Sequence, residues 1–519
     1  MTIMVRASLL AALSALLLIL SFPRADLEFL AWVGLVPLYM AMKEHGLPAA
    51  YALSSLTGLL FFAGFFHWIW AVEAFNWRDF VLLEVYFAQY FALFGLLLNG
   101  ITRRTRLSSV LTAPVLWVAL EYLRAHFFFL ALPMALLGHS QYRQLPLIQI
   151  AAITGVYGLS WLVVMVNAML SELLGVLLDR QAWRALQNKG VRAWMRPVGL
   201  LLMALLSVGG SVLFGHVILA RERGAEYLKV GVVQRHIPPA RYGEAQLQPE
   251  ILKRYLHLSW EMVGEGPLLL IWPETAVPVT PQTMTDSLDA ITHFTQATHT
   301  YLLFGSTASQ KFASPAAPQQ AQFNSALLIS PRGNIEEAYQ KIRLVPFGEY
   351  LPLRRRVPWP SWLVARGNEL TPGTTYTLFH LPTAQFGVLI CWEMLFPELF
   401  RTFVYHGPQF MVNITNEAWF GNTAAPYHLA ALSIFRAVEN HISVVRSANG
   451  GLSLSIDPYG RVTGQVQGPG QGDLLPEGAF TRPILLSPQR TFYTWYGDLF
   501  AYLCTGMAAL LLALAVRPG

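Results

Sequence analysis

Long stretches of apolar residues near both ends of the chain constrain this sequence more than anything else in it. A helix needs about 20 mainly apolar residues to cross the hydrocarbon core of a bilayer, because each residue rises only about 1.5 Å. Runs of that character cover residues 7–22, 29–42, 50–72, 81–101, 109–123, 148–178 and 198–220, and an eighth covers 499–516. Between them, residues 228–488 have a different texture, with short β-branched runs punctuated by Gly and Pro. The contrast explains the composition: 54% of the 519 residues are hydrophobic and 13% are charged, about half the charged share of an ordinary soluble chain. The expected division is seven membrane helices in 1–220, a water-soluble domain in 228–488 and an eighth helix in 499–516.

The first run follows Arg6 and has the length of a signal-peptide core, but Ser21-Phe22-Pro23-Arg24 stands where a small-x-small cleavage site would be needed. A retained helix is expected. Orientation follows from the Lys and Arg residues of the short loops. One set of loops carries Lys43, Arg103, Arg104, Arg106, Arg180, Arg184, Lys189, Arg192 and Arg196, with Arg6 and Arg517 on the same side. The opposite set carries fewer, such as Arg24, Arg78 and Arg143. The richer side is expected to be cytoplasmic. Seven crossings then export the polar domain, which in a bacterium means an inner-membrane protein with that domain in the periplasm. The net charge of +6 is therefore read as topology, and no nucleic-acid-binding motif accompanies it. His67, Glu121 and Glu172 interrupt the apolar runs, either as functional groups or as interface residues near helix ends. Gly138-His139-Ser140-Gln141 follows Pro133 between two runs and could be an irregular segment lining a cavity rather than a plain loop.

In the polar region, short runs at 228–234, 268–272, 301–305, 325–329, 386–390, 410–414 and 442–446 read as strands. Amphipathic stretches at 249–263 and 427–440 read as helices, and the alternation indicates a layered α/β fold. One strand delivers Cys391 at its end, followed by Trp392 and Glu393. The only other cysteine, Cys504, lies in the last apolar run, so Cys391 either packs as a small apolar group or does chemistry. A second strand ends in Trp272-Pro273-Glu274, where a carboxylate could serve as a general base or cap a helix. The segment Tyr339-Gln-Lys341-Ile-Arg-Leu-Val-Pro-Phe-Gly-Glu349 sets a lysine and a glutamate eight residues apart. A lysine beside a thiol can steady both a thiolate and an oxyanion.

Together, Glu274 in Trp-Pro-Glu, Lys341 and Glu349, and Cys391 in Cys-Trp-Glu resemble the Glu-Lys-Glu-Cys set of the nitrilase superfamily. With flanking membrane helices, the chain resembles the bacterial apolipoprotein N-acyltransferase family over essentially its whole length. Leu136–Gln141, Gly155–Ser160, Val412–Gly421 and Arg446–Gly450 carry the likeness beyond the tetrad. The resemblance implies an αββα sandwich and an acyl-enzyme intermediate. Glu274 would be the base, Cys391 the nucleophile, and Lys341 with the Trp392 backbone N–H the oxyanion site, while Glu349 would orient Lys341 and the acceptor amine. Glu393, Asn416, Trp419 and Tyr242 would lie around the oxyanion and substrates. The implied partners are a phospholipid acyl donor, a diacylglyceryl-modified apolipoprotein acceptor and membrane lipids, with no cofactor.

This chain departs from the family pattern in places. Arg235-His236-Ile237 follows Gln234 where the family commonly has Gly-Asn-Ile, and Tyr242 stands where it has Trp. Trp392 replaces a common Tyr, and Glu417 replaces Asp. Apolar residues in 346–353 and 358–363 could form a lid touching the membrane, and Arg354-Arg355-Arg356 could either meet lipid phosphates or be a solvated charge run. A membrane-tethered amidase or nitrilase hydrolysing a small amide would keep the same tetrad; a transporter would need no nucleophile. No G-x-S-x-G, P-loop or H-E-x-x-H occurs.

Overall fold

The computed structural model describes all residues except 1, 74, 106, 179–190, 222–225, 239–240, 242–243, 245–246, 278–283, 310–321, 361, 363–368, 468–475, 488 and 517–519. The chain divides into two compact units. One comprises Met1–Trp70, Phe75–Arg221 and Tyr496–Gly519, and the other Ala71–Ala74 and Glu222–Trp495.

The first unit is helical. Six of its described helices are long and apolar enough to cross a membrane: Ile3–Leu20, Leu47–Phe65, Trp77–Thr105, Val156–Leu178, Pro197–Leu219 and Leu499–Val516. Two of the eight apolar runs behave differently. The run at 29–42 divides into a 3-10 turn, Glu28–Trp32, and a helix, Val36–Lys43. That helix has eight residues, about 12 Å of rise. The run at 109–123 forms the helix Ser109–His126, whose last turns carry Glu121, Arg124 and His126. Three of the ionisable groups in these helices find local partners. Glu172 Oε1 accepts from Ser108 Oγ at 2.6 Å, Ser109 N at 2.8 Å and Ser109 Oγ at 2.9 Å, and so caps the start of Ser109–His126. Glu121 accepts from Trp117 Nε1 and from Leu137 N, at 2.8 and 2.7 Å. Arg124 donates to the carbonyls of Met134 and Ala135 at 2.7 and 3.0 Å. The Gly138–Gln141 segment lies in a buried 3-10 turn, Leu137–Gln141. His67 is exposed and bonds the Gly64 carbonyl.

The second unit is built on two six-stranded sheets. Its strands are β1 (Glu226–Gln234), β2 (Leu269–Ile271), β3 (Tyr301–Ser309), β4 (Gln322–Ile329), β5 (Ile335–Gln340), β6 (Leu378–His380), β7 (Gln385–Ile390), β8 (Phe410–Asn416), β9 (Ser443–Asn449), β10 (Leu454–Ile456), β11 (Val462–Gln465) and β12 (Gly478–Leu486). The first sheet runs β12-β1-β2-β3-β4-β5 and the second β11-β10-β9-β8-β7-β6. In each sheet the central three strands are parallel, β1-β2-β3 and β7-β8-β9, and the outer pairings are antiparallel. Strands buried on both faces read as continuous apolar runs, which is why the central strands were legible. The two sheets touch where Ser447 Oγ of β9 donates to the carbonyls of Val233 and Ile271, at 3.0 and 3.3 Å.

Helices cover the outer faces. Gln248–Val263 turns Ile251, Leu252, Tyr255, Leu258 and Met262 inward, the spacing of one apolar stripe. These side chains share a core with Trp272, Ile291, Phe294 and Phe304. Trp272 is fully buried, stacks on Tyr255 at 5.0 Å and donates its Nε1 proton to Ser259 Oγ at 2.9 Å. It therefore anchors the strand end that carries Glu274. On the second sheet, helix Pro397–Tyr405 packs so closely on β7 that a Cβ at Gly387 would meet Phe403 Cδ1 at 3.0 Å. Helix, sheet, sheet and helix make the αββα sandwich.

Candidate active site

Three strand ends and the turn after β5 bring the sequence-predicted tetrad together. Cys391 follows β7 and takes a left-handed φ of +57°, a conformation that costs a non-glycine residue of order 1 kcal/mol or more. The turn is held by its own residues. Glu393, fully buried, accepts from Tyr339 Oη at 2.9 and 3.0 Å, Ile390 N at 2.8 Å, Ile342 N at 2.8 Å and Arg343 N at 2.9 Å. It thereby ties the Cys391 turn to the segment that carries Lys341. Burial pushes the Glu393 carboxyl up to about 7, against those hydrogen bonds. On β8, Asn413 Nδ2 donates to the carbonyls of Leu389 and Cys391, at 3.0 and 3.3 Å. Two residues on, Thr415 lies beside the Cys391 sulfur and favours its thiolate.

Glu274 leaves β2 through Pro273. Strand β3 passes this turn so closely that a Cβ at Gly305 would lie 2.6 Å from Glu274 Cα, and only glycine fits there. Glu274 Oε2 accepts from Asn416 N at 2.8 Å, Oε1 accepts from Asn324 Nδ2 at 2.7 Å, and the carboxylate lies beside the Cys391 thiol. Lys341, 1% exposed, sets its Nζ 2.8 Å from Glu349 Oε1 and 3.8 Å from Glu274 Oε1. Glu349 Oε2 is fixed in turn by Val345 N at 2.7 Å.

The electrostatics follow from this packing. Burial pushes the Cys391 thiol up to about 12, Glu274 adds to the effect, and Lys341 opposes it. Burial also raises Glu274 above the ordinary carboxylate range, against the pull of Lys341. For Lys341, burial alone favours the neutral amine, but Glu349, Cys391 and Glu274 together hold it charged. The resting site is thus a neutral thiol beside a carboxylate, with a fixed cation near both. Such a set can take a thiol proton as sulfur attacks a carbonyl, and can then hold the resulting oxyanion.

The other expected residues are distributed around it. Trp392 is half-buried, and its Nε1 donates to the Arg343 carbonyl at 2.5 Å. Asn416 contributes its backbone N–H to Glu274, while its Oδ1 accepts from Asn449 Nδ2 at 2.9 Å. Trp419 is 43% exposed in the turn after β8. Tyr242 lies outside the described residues. In the expected lid, Phe347 and Trp359 meet edge to face at 5.1 Å, Trp359 Nε1 donates to the Pro352 carbonyl, and Leu353 and Trp362 are exposed. Arg354 of the basic run pairs with Glu369.

Asn324 and Thr415 were missed from the sequence. The available signal was weak: a polar residue within Phe323-Asn324-Ser325-Ala326-Leu327 and within Asn413-Ile414-Thr415-Asn416, both otherwise strand-like. Behind them, a buried ion pair between Glu417 and Arg446 fixes the end of β8.

Residues 14–169 match the apolipoprotein N-acyltransferase N-terminal domain, and residues 229–474 match the carbon-nitrogen hydrolase family. An apolipoprotein N-acyltransferase of Geobacter metallireducens is 35% identical over 98% of this chain and 95% of its own length. One of Chlorobaculum tepidum is 27% identical over 97% and 96%. The solved structure of a nitrilase-superfamily amidase from Nesterenkonia sp. AN1 covers 56% of this chain and 99% of its own, at 18% identity and a TM-score of 0.36. The likeness to the Geobacter protein runs through both compact units, and the chain belongs to the apolipoprotein N-acyltransferase family.

Proposed function

We propose that this acyltransferase moves an acyl chain from a membrane phospholipid to the α-amino group of a diacylglyceryl-cysteine at a lipoprotein N-terminus, through a thioester on Cys391. In the first step Glu274 takes the thiol proton while sulfur attacks the donor's ester carbonyl. The C–O bond breaks, and a lysophospholipid leaves with the proton on its freed hydroxyl. In the second step the neutral acceptor amine attacks the thioester carbonyl. The C–N bond forms, the C–S bond breaks, and Glu274 returns the amine's proton to sulfur. Lys341 and the Trp392 backbone N–H steady the oxyanion in both steps, and Glu349 orients Lys341. Because the thiol is held up to about 12 by burial and by Glu274, proton removal accompanies attack rather than preceding it.

The observation that carries this reading is the gathering of Cys391, at the end of β7, beside the buried Glu274 carboxylate and the Lys341 ammonium, which lie 3.8 Å apart. Intact-mass spectrometry of protein purified from membranes tests it. An acyl mass on Cys391, discharged by a lipoprotein amine to an amide, is expected. Free fatty acid as the sole product would favour the amidase reading. Initial rates should give parallel double-reciprocal lines for donor and acceptor, and intersecting lines would refute the shuttle.

We further propose an inner-membrane location, with helices in 1–220 and 499–516 tethering a periplasmic domain, 228–488. The Lys and Arg bias of the loops supports this orientation. It requires Ser109–His126 and the 28–43 segment to complete seven crossings before the domain. A reporter active only in the cytoplasm, fused at Gly264, should be silent, and an active one would reverse the topology.

A further inference from the structure

We propose that Asn324 is a positioning residue that keeps Glu274 ready to accept the thiol proton, by donating one amide proton to each of the two active-site carboxylates. The proposal rests on the acyl-transfer reading above for the identity of the base. Its geometric basis is separate. Asn324 sits in β4 opposite Thr307 of β3, and its carbonyl accepts from Lys341 N at 2.8 Å. The backbone that carries the amide is thus locked to the strand pair on one side and to the Lys341 turn on the other. The residue is 7% exposed, so solvent competes little for its amide.

The amide can face only one way. Nδ2 lies 2.7 Å from Glu274 Oε1 and 3.2 Å from Glu349 Oε1. Reversing the amide would set its oxygen against two carboxylate oxygens, with three acceptors and no donor. Both Nδ2 protons are therefore committed, one to each carboxylate.

Division of labour with Lys341 follows from distance. The ammonium is 2.8 Å from Glu349 but 3.8 Å from Glu274. Lys341 makes its hydrogen bond to Glu349 and acts on Glu274 through charge alone. Asn324 supplies the side-chain hydrogen bond to Glu274 that Lys341 does not make, and Asn416 N fills the other oxygen. Burial and the Glu349 charge favour the protonated form of Glu274, while Lys341, Asn324 and the Cys391 thiol oppose them. Removing the Asn324 donor therefore moves Glu274 further toward protonation. A protonated Glu274 cannot take the thiol proton, so the acid limb of Cys391 acylation should shift to higher pH.

The test uses full-length enzyme in detergent and a short-chain p-nitrophenyl ester as probe, following the p-nitrophenolate burst between about pH 5 and about pH 9. Asn324→Leu keeps the volume and removes the donor; Asn324→Asp replaces it with a third carboxylate. For Asn324→Leu, the expected result is an acid-limb midpoint raised by about one pH unit and a burst slowed by up to about ten-fold on the acid limb, with the rate recovering toward about pH 9. Asn324→Asp should shift the limb further, because a like charge is added. Melting curves identify any variant that fails to fold, and a folded Asn324→Asp keeps the proposal testable if Asn324→Leu does not fold. A burst slowed equally at every pH, or an unmoved limb, overturns the proposal. Glu274→Gln in the same assay separates the two ideas: if the acid limb survives it, the assignment of Glu274 as base fails, whatever Asn324 does.

Discussion

Buried ions are handled differently in the two units. In the membrane unit three of them serve the backbone. Arg124 spends its guanidinium on the Met134 and Ala135 carbonyls, Glu121 accepts the Leu137 N–H, and Glu172 accepts the Ser109 N–H. A bilayer offers irregular backbone no water, so side chains must satisfy it. In the catalytic unit the ions turn to one another: Glu274, Lys341 and Glu349 lie within ion-pair distance around one thiol. The difference gives a rule for reading this molecule. A buried ion whose bonds end on backbone is a strut. Buried ions that neutralise each other beside a nucleophile retain the capacity to move a proton or hold a developing charge.

The largest effect should come from the nucleophile. Cys391→Ala is expected to remove the acyl-enzyme and to lower transfer by at least about 10⁴-fold while leaving the melting temperature unchanged. Full transfer by purified Cys391→Ala would end the assignment. Cys504 is buried in Leu499–Val516, and Cys504→Ala should transfer normally.

Next comes the base. Glu274→Gln keeps the shape and loses the charge. Acylation of Cys391 should fall by about 10²- to 10⁴-fold, measured by the mass of the intact protein after a single turnover. Because Glu274 is raised above the ordinary carboxylate range, acylation by the unmodified enzyme should still be rising with pH above that range. That rise should vanish in Glu274→Gln. A normal thioester yield in this variant would show that another group takes the thiol proton.

The membrane unit should fail in the opposite manner. Arg124→Leu leaves the two buried carbonyls of Met134 and Ala135 without their donor, a loss on the order of 2–6 kcal/mol. The melting temperature should drop, while the acylation rate per folded molecule stays within about two-fold. A stable Arg124→Leu enzyme with a slow chemical step would break the distinction between strut and reacting ion.

How much of this was legible in the sequence depended on what each residue does locally. Glu274, Lys341 and Cys391 stand at strand ends, where apolar runs stop and a charge or thiol begins. The central strands were legible because burial on both faces leaves continuous apolar runs, as in Phe386–Ile390. The edge strands were not: β11 spans four positions of which three are exposed, and β6 spans three. Asn324 stayed hidden because its role depends on the pairing of β4 with β3 and on Lys341 folding back onto it, and neither leaves a mark in local sequence. The division of the run at 29–42 was hidden for a related reason. Hydropathy counts apolar residues but does not register the turn after Trp32 that leaves the helix Val36–Lys43 only eight residues long.

The smallest effect tests the rule inside the catalytic unit. Trp392 is adjacent to the nucleophile, yet its indole bonds only a backbone carbonyl, that of Arg343 at 2.5 Å, and meets the Phe396 ring edge to face at 5.0 Å. By the distinction above it is a strut. The group proposed for the oxyanion is its backbone N–H, which any residue but proline supplies. The turn that aims this N–H is held mainly by Glu393, through Ile390 N on one side and Ile342 N and Arg343 N on the other. Trp392→Phe keeps the aromatic contact and loses one hydrogen bond, about 1 kcal/mol of stability. Thioester formation should stay within about three-fold of the unmodified enzyme, since the backbone donor is retained. A drop of about 10²-fold or more at unchanged stability would mean that the indole itself touches substrate, and that the rule fails at the residue next to the nucleophile.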